Sequence, residues 1–437
     1  MKSKLTTSNI TIGVIILIVT IVSSNLNWSR NHWKGILEAD AKGYYAYLPA
    51  VVIYDDLNFG FFDEIEKDKY YNKNLFYNYR SSSNGKIINK YYCGTALAEL
   101  PFFLVAHMSS YLLDYETDRY SKLYPILINI GAVFYLLLGL IYLNASMKKY
   151  EISERHRAIT MFASLFGTNL FYYVVGESGM SHAYSFGFIA MFFYYALQYF
   201  SNLQKKNILK LALLLGVIIL IRPVNGLVVF VLPFAAGNYD ALKKGFFKLF
   251  ENKLWLLLSF CSLIAIVSIQ LIIYKISTGS FFTYSYGNEG FNFLSPHIFD
   301  ILFSYKKGLF LYTPLLLLSL FGGWFLWKSS RYKFYTWFGF FAIITYVFSS
   351  WWNWWYGGSF SSRVYVEYIS IFMILMGIAL KEINVKKWSR LFLLATALTI
   401  IVCQIQTYQY RYYEIHWSGM TKAKYWDVFM RIDKLIK

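Results

Sequence analysis

Two carboxylates lie close together shortly after the first hydrophobic segment. Glu38 and Asp40 occur in the stretch "LEADAKGYYAYLPA" at 37–50, among tyrosines and small residues. A carboxylate in such surroundings can take a proton from a hydroxyl and let that oxygen attack an electrophile. An ordinary loop acid near a helix end would have the same local sequence. We predict Asp40 as a general base with Glu38 as its catalytic neighbour, and Tyr44, one turn further on, as a substrate contact.

Two arginines are candidates for binding a phosphate. Arg222 interrupts a hydrophobic hairpin in "IRPVN", and Arg363 ends the stretch "WWNWWYGGSFSSR". A guanidinium binds phosphate oxygens through two parallel hydrogen bonds. An interfacial arginine that extends toward lipid headgroups is the alternative for Arg222. Lys306, in "FSYKKGLFLYTP", is a third candidate for a phosphate contact.

The tryptophan-rich stretch at 351–363 contains polar and small residues among its aromatic rings. Tryptophans alone would be typical of an aromatic belt at a membrane interface. Glycines, however, permit close approach of a ligand to the backbone, and aromatic faces beside polar groups suit sugar rings. We therefore predict Asn353, Trp354 and Tyr356 as substrate contacts.

A second polar cluster lies in "GESGMSHAYSF" at 176–186. Glu177 and His182 flank the junction between two apolar segments. A histidine at such a junction can be an ordinary interfacial residue with a satisfied hydrogen bond. The functional alternative, which we keep as a prediction, is that Glu177 and His182 bind acceptor hydroxyls or help to hold a phosphate.

The elements that must position these residues are membrane helices. The 437-residue chain is 57% hydrophobic and only 15% charged, and apolar runs long enough to cross a bilayer recur throughout. We predict an all-α polytopic membrane protein with about eleven transmembrane helices, the first of them an uncleaved anchor. The predicted spans lie near 9–27, 123–145, 158–176, 183–200, 208–221, 225–237, 254–275, 308–328, 334–350, 364–380 and 391–409.

The basic residues indicate sidedness. If segment 95–113 does not cross the membrane, the short loops rich in Lys and Arg all fall on the cytoplasmic side, as the positive-inside rule requires. The net charge of +18 then needs no nucleic-acid partner. We predict one integral membrane domain over 1–437. Its outer face carries a long loop with interfacial helices at 28–122, including 95–113, and a short tail at 410–437.

Several classes of chemistry leave no signature in the sequence. The chain contains no nucleotide-binding glycine-rich loop, zinc-protease motif or paired-cysteine motif in a usable context. No cofactor is required by the sequence, and a divalent metal remains open. An enzyme acting on the outer face would draw its activated substrate from the bilayer.

Four stretches resemble the GT-C glycosyltransferases, the membrane superfamily that includes protein O-mannosyltransferases and lipid A aminoarabinose transferases. They are the acid-containing "EAD" before "GYYAYLPA", "NKYYCGTALAELPFFLVAH", "LIRPVNGL" and "NWWYGGSFSSRVYVEY". The resemblance implies a multi-spanning helical fold with membrane-parallel helices in a long first outer loop. It also implies transfer of a sugar from a polyprenyl phosphate to an acceptor hydroxyl, with inversion and with Asp40 as the base.

The composition, rich in Lys, Asn, Ile and Tyr, indicates a bacterium. Together with the sidedness from the basic loops, it predicts a cell-envelope enzyme of the bacterial inner membrane with its active site on the periplasmic face. Its partners would be the polyprenyl-phosphate-linked sugar, a glycan, lipid or protein acceptor, and membrane lipids. Two rivals stay open: a polymerase or ligase that uses paired arginines, and a transporter or flippase of lipid-linked sugars. A transporter would place its polar residues near the membrane midplane and often shows repeated halves.

Overall fold

The computed structural model describes residues 6–65, 77–83 and 85–435, and its regular structure is almost entirely helical. Parts of the predicted loop 28–122 (66–76 and 84) and the end of the tail 410–437 lie outside the described residues. The first helices are α1 Thr7–Ser23, α2 Asp40–Pro49, α3 Gly94–Leu112, α4 Leu123–Lys149, α5 Glu154–Phe166, α6 Leu170–Val175, α7 Ser181–Asn202, α8 Lys205–Ile221 and α9 Leu232–Ala236. The others are α10 Tyr239–Glu251, α11 Lys253–Thr278, α12 Ile298–Phe303, α13 Leu309–Tyr312, α14 Pro314–Ser319, α15 Gly322–Ser329, α16 Arg331–Ser349, α17 Ile369–Glu382, α18 Lys386–Arg411 and α19 Lys422–Val428.

Five helical stretches of the described chain are long and apolar enough to cross a membrane. They are Thr7–Trp28, Leu123–Lys149, Lys253–Thr278, Arg363–Glu382 and Lys386–Arg411. Each coincides with a predicted span, which supports an integral membrane protein. The total of about eleven crossings remains a prediction.

Two of the other predicted spans are broken rather than continuous. The segment 158–176 contains the end of α5 and the short helix α6, which are separated by a turn at Gly167–Asn169. The segment 308–328 consists of α13, α14 and most of α15. Proline disfavours the helical conformation in the residue before it, which accounts for the break ahead of Pro314. Hydropathy records the apolar run in both segments but not these interruptions.

The first outer loop combines helices with one short hairpin. Strands β1 Arg80–Ser83 and β2 Lys86–Asn89 pair antiparallel. The predicted interfacial segment 95–113 is the single helix α3, which packs against α2, α4 and α8. Gly94 permits this packing, because a Cβ at this position would collide with the backbone of Leu220 and Ile221. The loop is thereby held against the end of α8.

Burial differs sharply between the helices. In the most apolar window of Arg363–Glu382, 94% of residues are buried, whereas only 11% are buried in that of Lys253–Thr278. The first of these stretches therefore runs through the core, and the second lies at the periphery. The core stretch starts with a 3-10 turn at Arg363–Tyr368, which packs against α7.

Candidate active site

The ends of several elements enclose one large cavity of about 880 Å³. Its walls come from the start of α2, the end of α8, the turn before α7, the 3-10 turn before α17 and the end of α18. Charged residues of both signs line it: Glu38, Asp40, Glu177, Glu289, Lys90, Arg222, Arg363 and Arg411. A cavity this size can enclose a sugar with an attached phosphate.

Asp40 and Arg363 form an ion pair in the cavity wall. Arg363 Nη2 lies 2.8 Å from Asp40 Oδ2, and the Tyr91 hydroxyl donates a 2.7 Å hydrogen bond to Asp40 Oδ1. Burial by itself raises the pKa of Asp40, but the guanidinium and the hydroxyl outweigh it and leave that pKa below its usual value. Asp40 is therefore an ionised carboxylate at neutral pH.

A second arginine–carboxylate pair involves Arg222, which also lines the cavity. Arg222 Nη1 donates a 2.8 Å hydrogen bond to Glu367 Oε1, which also lies 3.1 Å from His182 Nδ1. Glu367 and His182 are buried and do not line the cavity, whereas Arg222 does. Glu367 was not among the sequence candidates. A carboxylate inside an apolar span is costly unless it is paired, and that cost was the signal that could have found it.

Glu177 lines the cavity without a basic partner in hydrogen-bond contact among the described residues. The Tyr172 hydroxyl donates a 3.1 Å hydrogen bond to Glu177 Oε1, and Oε2 is buried without a hydrogen bond. Burial raises the pKa of Glu177 to about 7, against an opposing effect of Arg363. Glu177 therefore titrates near neutral pH while Asp40 stays ionised.

Aromatic rings form much of the remaining wall. The rings of Tyr44 and Tyr91 lie 4.6 Å apart, centroid to centroid. Asn353 and Tyr356 line the cavity, and Tyr356 and Gly357 both adopt positive φ values, of 56° and 67°. Further rings in the wall come from Tyr286, Phe291, Trp351, Trp352, Tyr410, Tyr413 and Trp417. Such a wall offers apolar faces to sugar rings beside hydrogen-bonding groups.

Three sequence candidates lie away from the cavity. His182 is buried behind it, against Glu367. Lys306 Nζ is 3.2 Å from the centroid of the Trp355 ring and 5.8 Å from that of Trp354, and neither Lys306 nor Trp354 lines the cavity. Glu38 does line it, and it pairs with Lys42 at 3.1 Å. The structure thus brings eight of the candidates together: Glu38, Asp40, Tyr44, Glu177, Arg222, Asn353, Tyr356 and Arg363.

Other polar residues of the site gave no sequence signal. Lys90 pairs with Glu289 at 2.6 Å, which links the first loop to the segment after α11. Arg411 ends α18 inside the cavity. Over the described ranges, no group of three or more His, Cys, Asp or Glu side chains is placed to hold a metal ion.

Comparison with known proteins gives a match in structure but none in sequence. No family model matches the chain, and no curated protein matches it. The crystal structure of the apo oligosaccharyltransferase from Archaeoglobus fulgidus aligns with 95% of this chain at a TM-score of 0.50 and 10% identity. Oligosaccharyltransferase AglB from the same organism, in complex with an inhibitory peptide and a dolichol-phosphate, aligns at a TM-score of 0.43 and 10% identity.

The alignment to the apo structure covers nearly all of this chain but only 57% of the oligosaccharyltransferase. Archaeal oligosaccharyltransferase is a GT-C glycosyltransferase. Sequence identity this low compares folds and leaves the individual residues unmatched. The likeness that the four sequence stretches indicated is confirmed at the level of the fold, which this chain shares with the archaeal oligosaccharyltransferase.

Proposed function

We propose that the protein is a glycosyltransferase that moves a sugar from a polyprenyl phosphate to an acceptor hydroxyl, with inversion of the anomeric centre. The observation that carries the proposal is the cavity itself, where the ionised Asp40 faces the same space as the guanidinium groups of Arg363 and Arg222. A base and two phosphate-binding groups are what such a transfer requires. The GT-C fold supports the same class of reaction.

In the proposed step, an Asp40 carboxylate oxygen accepts the proton of the acceptor hydroxyl. The hydroxyl oxygen forms a bond to the anomeric carbon from the face opposite the phosphate, and the bond from that carbon to the phosphate oxygen breaks. The polyprenyl phosphate leaves with the bonding electron pair and gains one negative charge. Arg222 and Arg363 stabilise the charge that develops on its oxygens.

The Asp40–Arg363 contact makes the basicity of Asp40 depend on whether the donor is bound. A carboxylate whose pKa lies below its usual value is a weak base. A donor phosphate that engages Arg363 competes with Asp40 for the same guanidinium. The weaker hold on Asp40 then raises the basicity of its carboxylate at the moment when a substrate is present.

The proposed setting follows the charge pattern of the loops. We place the cavity on the outer face of a bacterial inner membrane, with the lipid tail of the donor in the bilayer and a glycan, lipid or protein as acceptor. The sidedness can be measured by labelling intact cells with a membrane-impermeant thiol reagent. The reagent is expected to reach a cysteine introduced at Ser82 and not one at Lys206, and the reverse result would contradict the placement.

One rival has support from a specific observation. Arg222 and Arg363 line one cavity, and a polymerase or ligase of lipid-linked sugars would use paired arginines without needing a base on the first loop. Asp40 therefore discriminates between the two functions.

The test is the Asp40→Asn variant, in membranes supplied with a radiolabelled polyprenyl-phosphate sugar and an acceptor extract. Loss of the base is expected to lower the transfer rate by about 100-fold to 10,000-fold. Asp55→Asn is the matched control, since Asp55 is an exposed acid of the same loop outside the cavity. Its left-handed backbone, at φ 46°, is one that asparagine tolerates. Transfer near the parent rate in Asp40→Asn would exclude Asp40 as the base.

A further inference from the structure

The basic residues of the cavity are not equally available to an anionic ligand. Lys90, Arg222 and Arg363 each contact a carboxylate, on Glu289 at 2.6 Å, on Glu367 at 2.8 Å and on Asp40 at 2.8 Å respectively. A phosphate that binds any of these three must compete with a carboxylate already in place. Each such competition reduces the net gain from the new contact.

Arg411 is held differently. Its Nη2 donates hydrogen bonds to Asn27 Oδ1 at 3.1 Å and to the Leu26 carbonyl at 3.4 Å, both neutral acceptors. Asn27 is buried and fixed in turn, since its amide nitrogen donates a 2.6 Å hydrogen bond to the Val175 carbonyl. Within the described part of the chain, Arg411 forms no ion pair with a carboxylate. One edge of the guanidinium is thus anchored, and its charge is not neutralised by direct contact.

We infer that Arg411 is the residue of the cavity that first binds the phosphate group of a substrate. An anchored guanidinium loses little conformational freedom when it forms further hydrogen bonds. Its remaining N–H groups can meet phosphate oxygens without displacing a carboxylate. This inference rests on the proposed function, and it adds a binding residue from the end of α18 to the two arginines on the other walls.

The neighbouring residues fit a phosphate that is joined to a sugar. Three aromatic residues that are close to Arg411 in the chain line the cavity together with it: Tyr410, Tyr413 and Trp417. Gly358 lies opposite Trp417, where a Cβ would be 3.3 Å from the indole ring. The backbone of Gly358 therefore packs directly against the indole ring, and a side chain at residue 358 would crowd that ring. The phosphate itself can come from the lipid-linked donor or from an acceptor that carries phosphate.

The experiment measures binding, so that it does not depend on transfer. Full-length protein in nanodiscs is titrated with two probes, polyprenyl phosphate and glycerol phosphate, and compared with Arg411→Gln and Arg411→Lys. Loss of a charge-assisted contact is expected to weaken the relevant Kd by about tenfold to 100-fold in Arg411→Gln. The Kd of Arg411→Lys should lie between those of the parent and Arg411→Gln, because lysine keeps the charge and loses the planar fork of the guanidinium. Arg390→Gln is the matched control, as it removes the same charge from the exposed other end of α18.

The outcomes separate the sources of the phosphate. Weakening for polyprenyl phosphate alone assigns Arg411 to the donor, weakening for glycerol phosphate alone assigns it to the acceptor, and weakening for both assigns it to phosphate in general. Unchanged binding of both probes in Arg411→Gln, or a parent protein that binds neither, overturns the inference. Thermal unfolding of each variant shows whether it is folded. If Arg411→Gln does not fold, the binding of Arg411→Lys provides the test instead. Asp40→Asn is expected to keep polyprenyl-phosphate binding while it loses transfer, so failure of the proposed catalytic step is recognised separately.

Discussion

The two arginine–carboxylate pairs beside the cavity have the same contact distance, 2.8 Å, but they differ in whether the carboxylate reaches the cavity. In the first-loop wall, both Asp40 and Arg363 face the cavity. In the helical wall, only Arg222 faces it, and its partner Glu367 is fully buried behind it beside His182. The first pair therefore offers a carboxylate and a cation to a ligand, whereas the second offers a cation alone.

The two carboxylates, Asp40 and Glu367, therefore have different roles. A carboxylate exposed to the cavity can exchange its arginine partner for a substrate group, since the substrate reaches both. A buried carboxylate such as Glu367 cannot, and it acts through Arg222, as a positioning residue. We expect substitutions in the first pair to affect the chemical step most, and substitutions in the second pair to affect the orientation of the donor.

After Asp40→Asn, the largest effect within this comparison is expected for Arg363→Gln. Loss of the guanidinium removes stabilisation of the leaving phosphate and should lower transfer by about 100-fold to 1,000-fold. It also removes the charge that lowers the pKa of Asp40. Activity that needs ionised Asp40 is lost as the pH falls through this pKa, so the acidic limb of the pH–rate profile should move to higher pH. If the transfer rate falls at every pH but the acidic limb stays at the same pH, the coupling between the two residues is contradicted.

A smaller effect is expected for Glu367→Gln. Glutamine keeps an acceptor for Arg222 but removes the competing charge, so the donor phosphate should bind the arginine more tightly in a less productive orientation. We expect kcat to fall about tenfold and KM for the donor to fall with it, because the tighter binding stabilises the bound donor and not the transition state. Arg222→Gln is the comparison variant, and its KM should rise instead. An unchanged kcat with a raised KM in Glu367→Gln would show that Glu367 does not position Arg222.

The comparison also shows what the sequence could provide. Asp40, Arg222 and Arg363 were identified from local patterns, because an acid after a span and arginines at span ends are costly or conspicuous. Their pairing was not predictable, since Asp40 and Arg363 lie in distant parts of the chain and meet only through the packing of the first loop on the helix ends. Lys306 and Trp354 were chosen by the same local patterns, and their side chains face each other outside the cavity. Local sequence gives the residue type of a site, and packing decides which side chains share it.

The fold, like the site, could be predicted from the sequence only in part. The five long apolar helices were visible as hydropathy, and the resemblance in four short stretches indicated the superfamily. The interruptions in 158–176 and 308–328 were missed, because an average over an apolar run does not register a turn such as the one at Gly167–Asn169.

The smallest effect is expected at Glu177, a cavity acid that belongs to neither arginine pair. Groups from several elements act on it: Tyr172, Arg363, Asp40 and Lys307. Because its pKa is raised from 4.5 to about 7, the folded protein binds more protons than the unfolded chain between these two pH values. Stability therefore falls as the pH rises through this window, by an amount on the order of 3 kcal/mol.

Glu177→Gln removes this titration and keeps the shape of the side chain. The melting temperature of the variant should match that of the parent near pH 4.5 and exceed it by a few degrees above pH 7, as followed by thermal unfolding in detergent across that range. Glu289→Gln is the control, since Glu289 also lines the cavity but forms an ion pair with Lys90, and its loss should lower the melting temperature at neutral pH. An equal melting temperature for Glu177→Gln and the parent at every pH would mean that the pKa of Glu177 is the same in the folded and the unfolded protein. In that case burial would not perturb Glu177, and the contrast between an exposed acid and a buried one would rest on the two arginine pairs alone.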